Sequence, residues 1–215
     1  MNDGNYSEDW VNGYQLTLLD KSNVHASWAR QKMENTIVEH NGKKIAGYEI
    51  LEVYQVKNSD LWEKYWNRRD QIRREIGGRV KEARLFHGTK HAYKITEDGF
   101  NLNFANDKGM FGKGIYFADL SSKSNQYTFE GCNTPCAPHK KTFCTDCERF
   151  MLICRVALGK EYEPNAPMNG ISAPPSGYHS ILADPSRKLV NYREYAIYNN
   201  YQAYPGYLVK YKVKN

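Results

Sequence analysis

The sequence predicts an α+β fold with largely antiparallel sheets. Two helical patterns lie in the first third of the chain, and from residue 83 onward short strand-like runs are separated by turns. Strands with only occasional helices between them argue against a doubly wound parallel sheet. The glycines of KGMFGKG also argue against such a sheet, because they form neither the G-x-G-x-x-G turn of dinucleotide-binding folds nor a P-loop. A chain of 215 residues is expected to form one domain.

Two helices and one strand are predicted before residue 83, after a polar segment, residues 1–25, that is expected to be poorly ordered. The first helix spans about 27–40, where apolar side chains recur on one face. The run GYEILEVYQV is rich in β-branched and aromatic residues and predicts a strand. The second helix spans about 59–76, with Ser59 and Asp60 as its caps and a glycine pair at its end.

The remainder of the chain is predicted to contain five strands and two short helices. The helices fall at about 91–98, closed by Gly99, and at about 122–127. Together with the earlier elements they make residues 26–215 the expected folded domain. The strand-like runs are ARLFHG, GIYFAD, FMLICRVALGK, NYREYAIY and YPGYLVKYKV.

Composition excludes several classes of protein. Hydrophobic residues make up 40% and charged residues 25% of the chain, which excludes a disordered or fibrous protein. No apolar run approaches the ~18–20 residues of a membrane span, and the start lacks a signal-peptide pattern. We therefore expect no membrane partner and a cytoplasmic or nuclear location.

A basic surface is predicted on the second helix. The net charge of +6 permits an anionic partner but is too small to indicate nucleic-acid binding by itself. A row of basic residues along one face of a helix usually faces solvent, so we expect nucleic acid to be an unlikely partner. The basic residues of this face are Lys64, Arg68, Arg69, Arg73 and Arg74.

The cysteines predict a structural zinc site in a loop spanning 132–148. The stretch CAPHKKTFCTDC has the spacing C-x2-H-x4-C-x2-C, and three thiolates with one imidazole complete a tetrahedral zinc shell. Four protein ligands leave no open position for a substrate, so the role is structural. The alternative is a group of free thiols in a reduced protein. The predicted ligands are Cys136, His139, Cys144 and Cys147.

Three strand-associated polar residues, His87, Tyr116 and Glu194, are the candidate chemical groups. They lie in the ordered strings HGT, GMFGKGIYFAD and NYREYAIY, with SSKSNQY between the second and third. This series resembles the signature of the poly(ADP-ribose) polymerase family of ADP-ribosyltransferases. The cysteine loop followed by ERFMLICRVALGK, and the ending EYAIYNNYQAYPGYLVKY, look most like the tankyrase branch.

The resemblance implies a fold and a nicotinamide site. The implied fold is that of ADP-ribosyltransferases, with two packed, largely antiparallel β-sheets, flanking helices and a zinc-binding loop. NAD⁺ would be the substrate: His87 would bind a ribose hydroxyl, and the backbone of Gly88 would pair with the nicotinamide carboxamide. Ser124 would give that amide a further hydrogen bond, while Tyr127 and Tyr116 would enclose the ring. Nicotinamide-like amides are therefore expected inhibitors.

The remaining roles follow from the same resemblance. Glu194 matches the catalytic glutamate of the family, Lys123 would lie close to it, and Thr89 would reach a ribose. The loop 100–109 occupies the place of the adenine-flanking loop but lacks the His-Ala-Tyr of tankyrases, which leaves Phe104 as the candidate stacking partner. The implied activity is transfer of ADP-ribose to protein acceptors, the chain itself included, with extension of the polymer.

Three alternatives remain open on the sequence. A mono-ADP-ribosyltransferase has the same residues, since the glutamate is needed for chain growth in the family without guaranteeing it. A catalytically silent module would bind NAD⁺ or a polyanion. A zinc-organised nucleic-acid binder would depend on CAPHKKTFCTDC and the basic helix alone.

Overall fold

The computed structural model describes residues 13–40, 42, 44–128 and 144–215. The α-helices of these ranges are α1 (Val24–Glu34), α2 (Ser59–Ile76), α3 (Ala92–Asp98) and α4 (Ser121–Asn125). Short 3₁₀ turns lie at Leu102–Phe104 and Pro185–Arg187. The strands are β1 (Tyr14–Leu18), β2 (Gly47–Asn58), β3 (Glu82–Gly88), β4 (Ile115–Phe117), β5 (Arg149–Ala157), β6 (Glu161–Tyr162), β7 (Ser180–Ala183), β8 (Glu194–Ile197) and β9 (Ala203–Lys214).

The strands form two sheets, as expected. The first has the order β1-β2-β9-β5-β3 and the second the order β4-β8-β7-β6. All pairings are antiparallel except that of β6 with β7. The edge strands β3 and β4 meet at an antiparallel bridge between Phe86 and Ala118, whose two backbone hydrogen bonds measure 2.8 and 3.0 Å. The α+β prediction with largely antiparallel sheets is confirmed.

The centre of the five-stranded sheet is buried on both faces. Side chains of a strand alternate between faces, and along β5 Met151 and Ile153 join one apolar cluster while Leu152 and Cys154 join another. Helix α1 covers the first face through side chains that include Met33. Elements of the second sheet and α3 cover the other face. Burial on both sides explains why β5 reads as an almost continuous apolar run in the sequence.

Helix α1 differs from its prediction, 27–40, at both ends. The side chain of Asn23 accepts hydrogen bonds from the backbone of His25 and Ala26 and starts the helix earlier. At the other end, the Thr36 hydroxyl donates to the carbonyls of residues 32 and 33. A hydroxyl that bonds to the preceding turn competes with helical hydrogen bonding, so the helix stops near residue 34.

Helix α2 has its predicted bounds but a different N-cap. Asn58, not Ser59 or Asp60, caps the helix, because its side-chain oxygen accepts the backbone N–H of Leu61 at 3.1 Å. The Ser59 hydroxyl instead accepts the N–H of Gly13 at 3.0 Å. The predicted C-terminal stop is confirmed: the residue after the helix, a glycine, adopts φ +65°, which glycine tolerates at no steric cost.

The expected disorder of residues 1–25 does not hold for residues 13–25. Strand β1 lies in this segment and pairs with β2 from Tyr14–Asn58 to Leu18–Tyr54. It is short, at a sheet edge and only partly buried, so its apolar signal is weak. Residues 1–12 lie outside the described part of the chain. Among the described residues, no helix is long and apolar enough to span a membrane.

Candidate active site

The predicted site residues gather where the two sheets meet. The Phe86–Ala118 bridge fixes the ends of β3 and β4 side by side. His87 and Gly88 follow the bridge on β3, Tyr116 precedes it on β4, and α4 begins three residues after Ala118. The backbone hydrogen bonds of this bridge therefore bring the end of β3 next to the β4–α4 stretch, which lies about thirty residues further along the chain.

His87 is a neutral hydrogen-bonding group at this junction. Its Nδ1 lies 2.7 Å from the carbonyl oxygen of Tyr116, and a carbonyl can only accept, so Nδ1 carries the proton. Burial lowers the pKa of His87 to about 4, although this hydrogen bond acts in the opposite direction. The neutral ring then presents Nε2 as an acceptor, which suits a ribose hydroxyl donor. The rings of Phe100 and Phe117 lie 5.1 and 5.4 Å from the imidazole and hold its plane.

Gly88 lets α4 approach the end of β3. A Cβ atom at this position would lie 2.8 Å from the carbonyl carbon of Ser124 and closer still to its oxygen. The buried Ser124 hydroxyl donates to the Phe86 carbonyl at 3.2 Å, which fastens the helix to the strand. Gly88 and Ser124 are thus adjacent residues of β3 and α4, which is the proximity that the predicted carboxamide site requires.

Tyr116 and Glu194 lie on the same face of the second sheet. Tyr116 pairs with Ala196, two residues from Glu194, so the tyrosine and the glutamate are diagonal neighbours on β4 and β8. Burial, and more weakly the Glu194 carboxylate, raise the pKa of Tyr116 to about 12. The Tyr116 hydroxyl accepts the N–H of Phe111 and donates to the carbonyl of Gly112, so its ring is fixed as a wall beside the carboxylate.

Lys123 connects α4 to Glu194. Its ammonium lies 2.9 Å from the Glu194 carboxylate, and the two side chains are only 16% and 21% exposed. Burial alone would lower the pKa of Lys123, but the adjacent carboxylate outweighs it and the pKa is raised. The same ammonium lies 3.4 Å from the Tyr127 hydroxyl. A carboxylate held in this way can stabilise a positive charge or polarise a hydroxyl group.

Tyr127, Thr89 and Phe104 are the other predicted binding residues, and two of them are largely exposed. The ring of Tyr127 follows α4 and is 55% exposed, so a flat ligand can stack on it. The Thr89 hydroxyl accepts the N–H of His91 at 3.2 Å. Phe104 ends a 3₁₀ turn and is 82% exposed, so its predicted stacking on adenine stays a prediction.

The zinc prediction falls largely outside the described residues. Cys136 and His139 belong to the stretch 129–143, which is not described. Cys144 is half-buried and Cys147 is buried, both as free cysteines just before β5. Within the described ranges, no three metal-ligating side chains come together. The zinc-binding loop therefore stays a prediction.

The basic face of α2 is largely paired with carboxylates. Arg69 lies 2.9 Å from Glu82, and Arg73 and Arg74 lie 2.7 and 2.8 Å from Asp70. Paired side chains carry less net charge toward solvent, which favours the solvated-face interpretation.

A cleft of about 580 Å³ lies at the opposite end of β3 from the site. Its polar lining includes Lys81, which pairs with Glu161, and His179, which pairs with Glu75 at 2.9 Å. It contains none of the predicted site residues.

Sequence reasoning missed two residues that support the site, Arg149 and Asn125. Arg149 begins β5 and is fully buried, and it donates to the Asn125 side chain next to Ser124. An arginine at the start of an apolar run reads as a solvated strand end. Its partner Asn125 lies 24 residues earlier in the chain, so only the three-dimensional fold shows that the two side chains meet.

Comparison with known proteins agrees with the resemblance at the level of the family. The model of the "Poly(ADP-ribose) polymerase catalytic domain" matches residues 29–189. A probable poly [ADP-ribose] polymerase of Dictyostelium discoideum is 28% identical over 78% of the chain and 45% of its own length. The human protein mono-ADP-ribosyltransferases PARP12 and PARP14 are 27% and 24% identical over 76% and 96% of the chain. The chain spans only 22% and 12% of these two relatives.

Proposed function

The chain belongs to the poly(ADP-ribose) polymerase catalytic-domain family, and on that premise we propose that it transfers ADP-ribose from NAD⁺ to protein acceptors. The observation that carries the proposal is the convergence of four groups at the sheet junction. Neutral His87 hydrogen-bonds to the backbone of Tyr116, and the Tyr116 side chain shares a sheet face with Glu194, which pairs with Lys123 of α4; Gly88 packs closely against α4.

The arrangement fits cleavage of the bond between the ribose C1′ and nicotinamide. The bond breaks with its electron pair leaving on nicotinamide, and the ribose becomes oxocarbenium-like, as in glycoside hydrolysis. The Glu194 carboxylate stabilises that positive charge, while His87 holds a ribose hydroxyl. An acceptor oxygen then forms the new bond to C1′, and the proton of a hydroxyl acceptor passes toward Glu194.

Polymer formation is our preferred outcome, and mono-ADP-ribosylation is the alternative. Glu194 supports the first, because a ribose hydroxyl is a weak nucleophile that needs a carboxylate to orient and deprotonate it. The names of PARP12 and PARP14, both mono-ADP-ribosyltransferases, support the second.

Labelled NAD⁺ and a denaturing gel distinguish these outcomes. The purified chain is incubated with labelled NAD⁺, alone and with candidate acceptor proteins. A smear indicates polymer on the chain or on an acceptor, and a sharp band indicates single transfer. Absence of label with intact NAD⁺ binding would instead identify a silent module. Salt-dependent nucleic-acid binding without turnover would favour the nucleic-acid binder.

We also propose a structural zinc ion and a tankyrase-like catalytic module. The support is the C-x2-H-x4-C-x2-C spacing followed directly by ERFMLICRVALGK. Cys136, His139, Cys144 and Cys147 would hold the ion, which would supply cross-linking and no chemistry. A reduced thiol site fits the cytosol or the nucleus as the location.

Replacing Cys144 by serine is expected to remove the zinc ion and lower the melting temperature, because the site lies just before β5. Metal analysis and thermal unfolding measure both quantities. Cys132→Ser, which removes a thiol outside the predicted ligand set, is the control and should retain zinc. Wild-type protein prepared without chelators and free of zinc would refute the site. Unchanged stability of Cys144→Ser would refute its structural role.

Replacing Tyr127 by alanine is expected to weaken binding of NAD⁺ and of nicotinamide-like amides by about 1–2 kcal/mol, through lost stacking and apolar contact. Isothermal titration with a planar aromatic amide measures this directly. Tyr93, which is 56% exposed, provides a matched control through Tyr93→Ala. Equal affinities of Tyr127→Ala and wild type would place the ring elsewhere.

A further inference from the structure

Arg149 is a fully buried cation near the candidate active site. Its side chain is 0% exposed, and Nη1 donates to the Oδ1 atom of Asn125 at 3.0 Å. Nη2 donates to the carbonyl of Cys144 at 3.1 Å. A buried guanidinium is costly unless its N–H groups are satisfied in a fixed geometry. The two hydrogen bonds therefore connect the segment before β5 to the end of α4.

The Oδ1 atom of Asn125 is shared with a second strand. The Tyr211 hydroxyl, from β9, donates to it at 2.8 Å and lies 3.1 Å from the Thr128 hydroxyl. Thr128 in turn donates to the Asn125 carbonyl at 2.9 Å. Side chains of β5 and β9 thus hold both Asn125 and Thr128. The nicotinamide-binding residues Ser124 and Tyr127 lie directly beside these two anchors.

Helix α4 needs such anchors because it is only five residues long. A helix of this length is unstable in isolation, so its position depends on contacts with the rest of the fold. It carries Lys123, Ser124 and, just beyond its end, Tyr127. A shift of α4 would displace Lys123 and two predicted ligand contacts together, and small misplacements of binding groups are costly.

We propose that Arg149 is a positioning residue that fixes α4 for recognition of the nicotinamide carboxamide and couples the Cys144–Arg149 segment to that pocket. The inference rests on the proposed function, since the ligand is the leaving group of NAD⁺. The guanidinium acts through Asn125 and does not contact the substrate. The guanidinium has donors on two separate nitrogens, and both are needed because one side chain must reach Asn125 and the Cys144 carbonyl.

The test compares Arg149→Lys with Arg155→Lys. Lysine keeps the charge but places its donors on one nitrogen, so it cannot span both acceptors. Arg155 lies on the same strand and binds Glu82, away from α4, which makes it a matched control for loss of a guanidinium in β5. We expect Arg149→Lys to raise the Kd of nicotinamide about tenfold, the effect of one charge-assisted hydrogen bond. The KM for NAD⁺ should rise with it while kcat changes little, and Arg155→Lys should leave both the Kd and the KM unchanged.

A milder variant keeps the inference testable if Arg149→Lys does not fold. Tyr211→Phe removes only a hydroxyl from the same Asn125 anchor and should raise the Kd of nicotinamide by about threefold. Equal nicotinamide affinity in folded Arg149→Lys and Arg155→Lys, or wild-type affinity in Tyr211→Phe, would overturn the inference. A wild-type chain that does not bind nicotinamide would contradict the proposed function instead.

Discussion

Replacing Glu194 by glutamine is expected to lower the rate of NAD⁺ turnover by about 10²-fold or more and to abolish long polymer first. Glutamine keeps the size of the side chain and can hydrogen-bond, but it loses the negative charge that stabilises an oxocarbenium ion. In the wild type the Lys123 ammonium lies 2.9 Å from the Glu194 carboxylate. The substitution leaves this ammonium beside a neutral amide. The local potential then disfavours a developing positive charge.

Chain elongation and single transfer to an acceptor should respond differently to this change. A ribose hydroxyl at the end of a chain needs a carboxylate to orient it and draw on its proton, whereas a carboxylate side chain on an acceptor is already a nucleophile. Single modifications and slow NAD⁺ cleavage should therefore persist in Glu194→Gln. His87→Ala should differ again, with a raised KM for NAD⁺, because the proposed role of His87 is to hold the ribose through a neutral acceptor nitrogen.

Initial rates of nicotinamide release and gel analysis of the products measure both effects. Glu161→Gln is a matched control, since Glu161 also pairs with a lysine, Lys81, but lies away from the junction. It should retain wild-type rates. Full-length polymer made by Glu194→Gln at an unchanged rate would contradict the catalytic role of this residue.

Much of the fold could be predicted because its signals are local. The strand β5 is an almost continuous apolar run, and the glycine after α2 marks a helix end. The N-cap of α2 could not be chosen correctly, since Asn58, Ser59 and Asp60 are all good caps and only tertiary contacts separate them. The Ser59 hydroxyl is engaged by Gly13, which leaves the cap to Asn58.

The candidate site could be predicted in its residues but not in its geometry. The strings around His87, Tyr116 and Glu194 identify the chemical groups from resemblance. Their proximity depends on the Phe86–Ala118 bridge and on the β4–β8 register, both of which form between distant segments. Shifting that register by one residue would place Glu194 on the opposite face from Tyr116.

Replacing Gly88 by alanine is expected to abolish measurable nicotinamide binding and to destabilise the fold by about 3 kcal/mol, the upper end of typical overpacking costs. The added Cβ would lie 2.8 Å from the Ser124 carbonyl carbon and closer still to the oxygen, and both atoms are backbone. A flexible side chain could move aside, but backbone can yield only if α4 shifts as a unit away from β3. That shift would break the hydrogen bond from Ser124 to the Phe86 carbonyl and would separate the residue-88 backbone from Ser124, the two groups proposed to bind the carboxamide.

In Gly88→Ala, titration with nicotinamide measures the loss of binding, and unfolding by denaturant measures the loss of stability. Gly78 provides a control for the loss of a glycine, because a Cβ there meets no atom within 4 Å and its φ is not in the left-handed region. Gly78→Ala should therefore bind nicotinamide like the wild type and be at least as stable, since alanine restricts the unfolded chain. A folded Gly88→Ala variant with wild-type affinity would mean that α4 can move without loss of the ligand. The close contact between β3 and α4 would then not be the basis of carboxamide recognition.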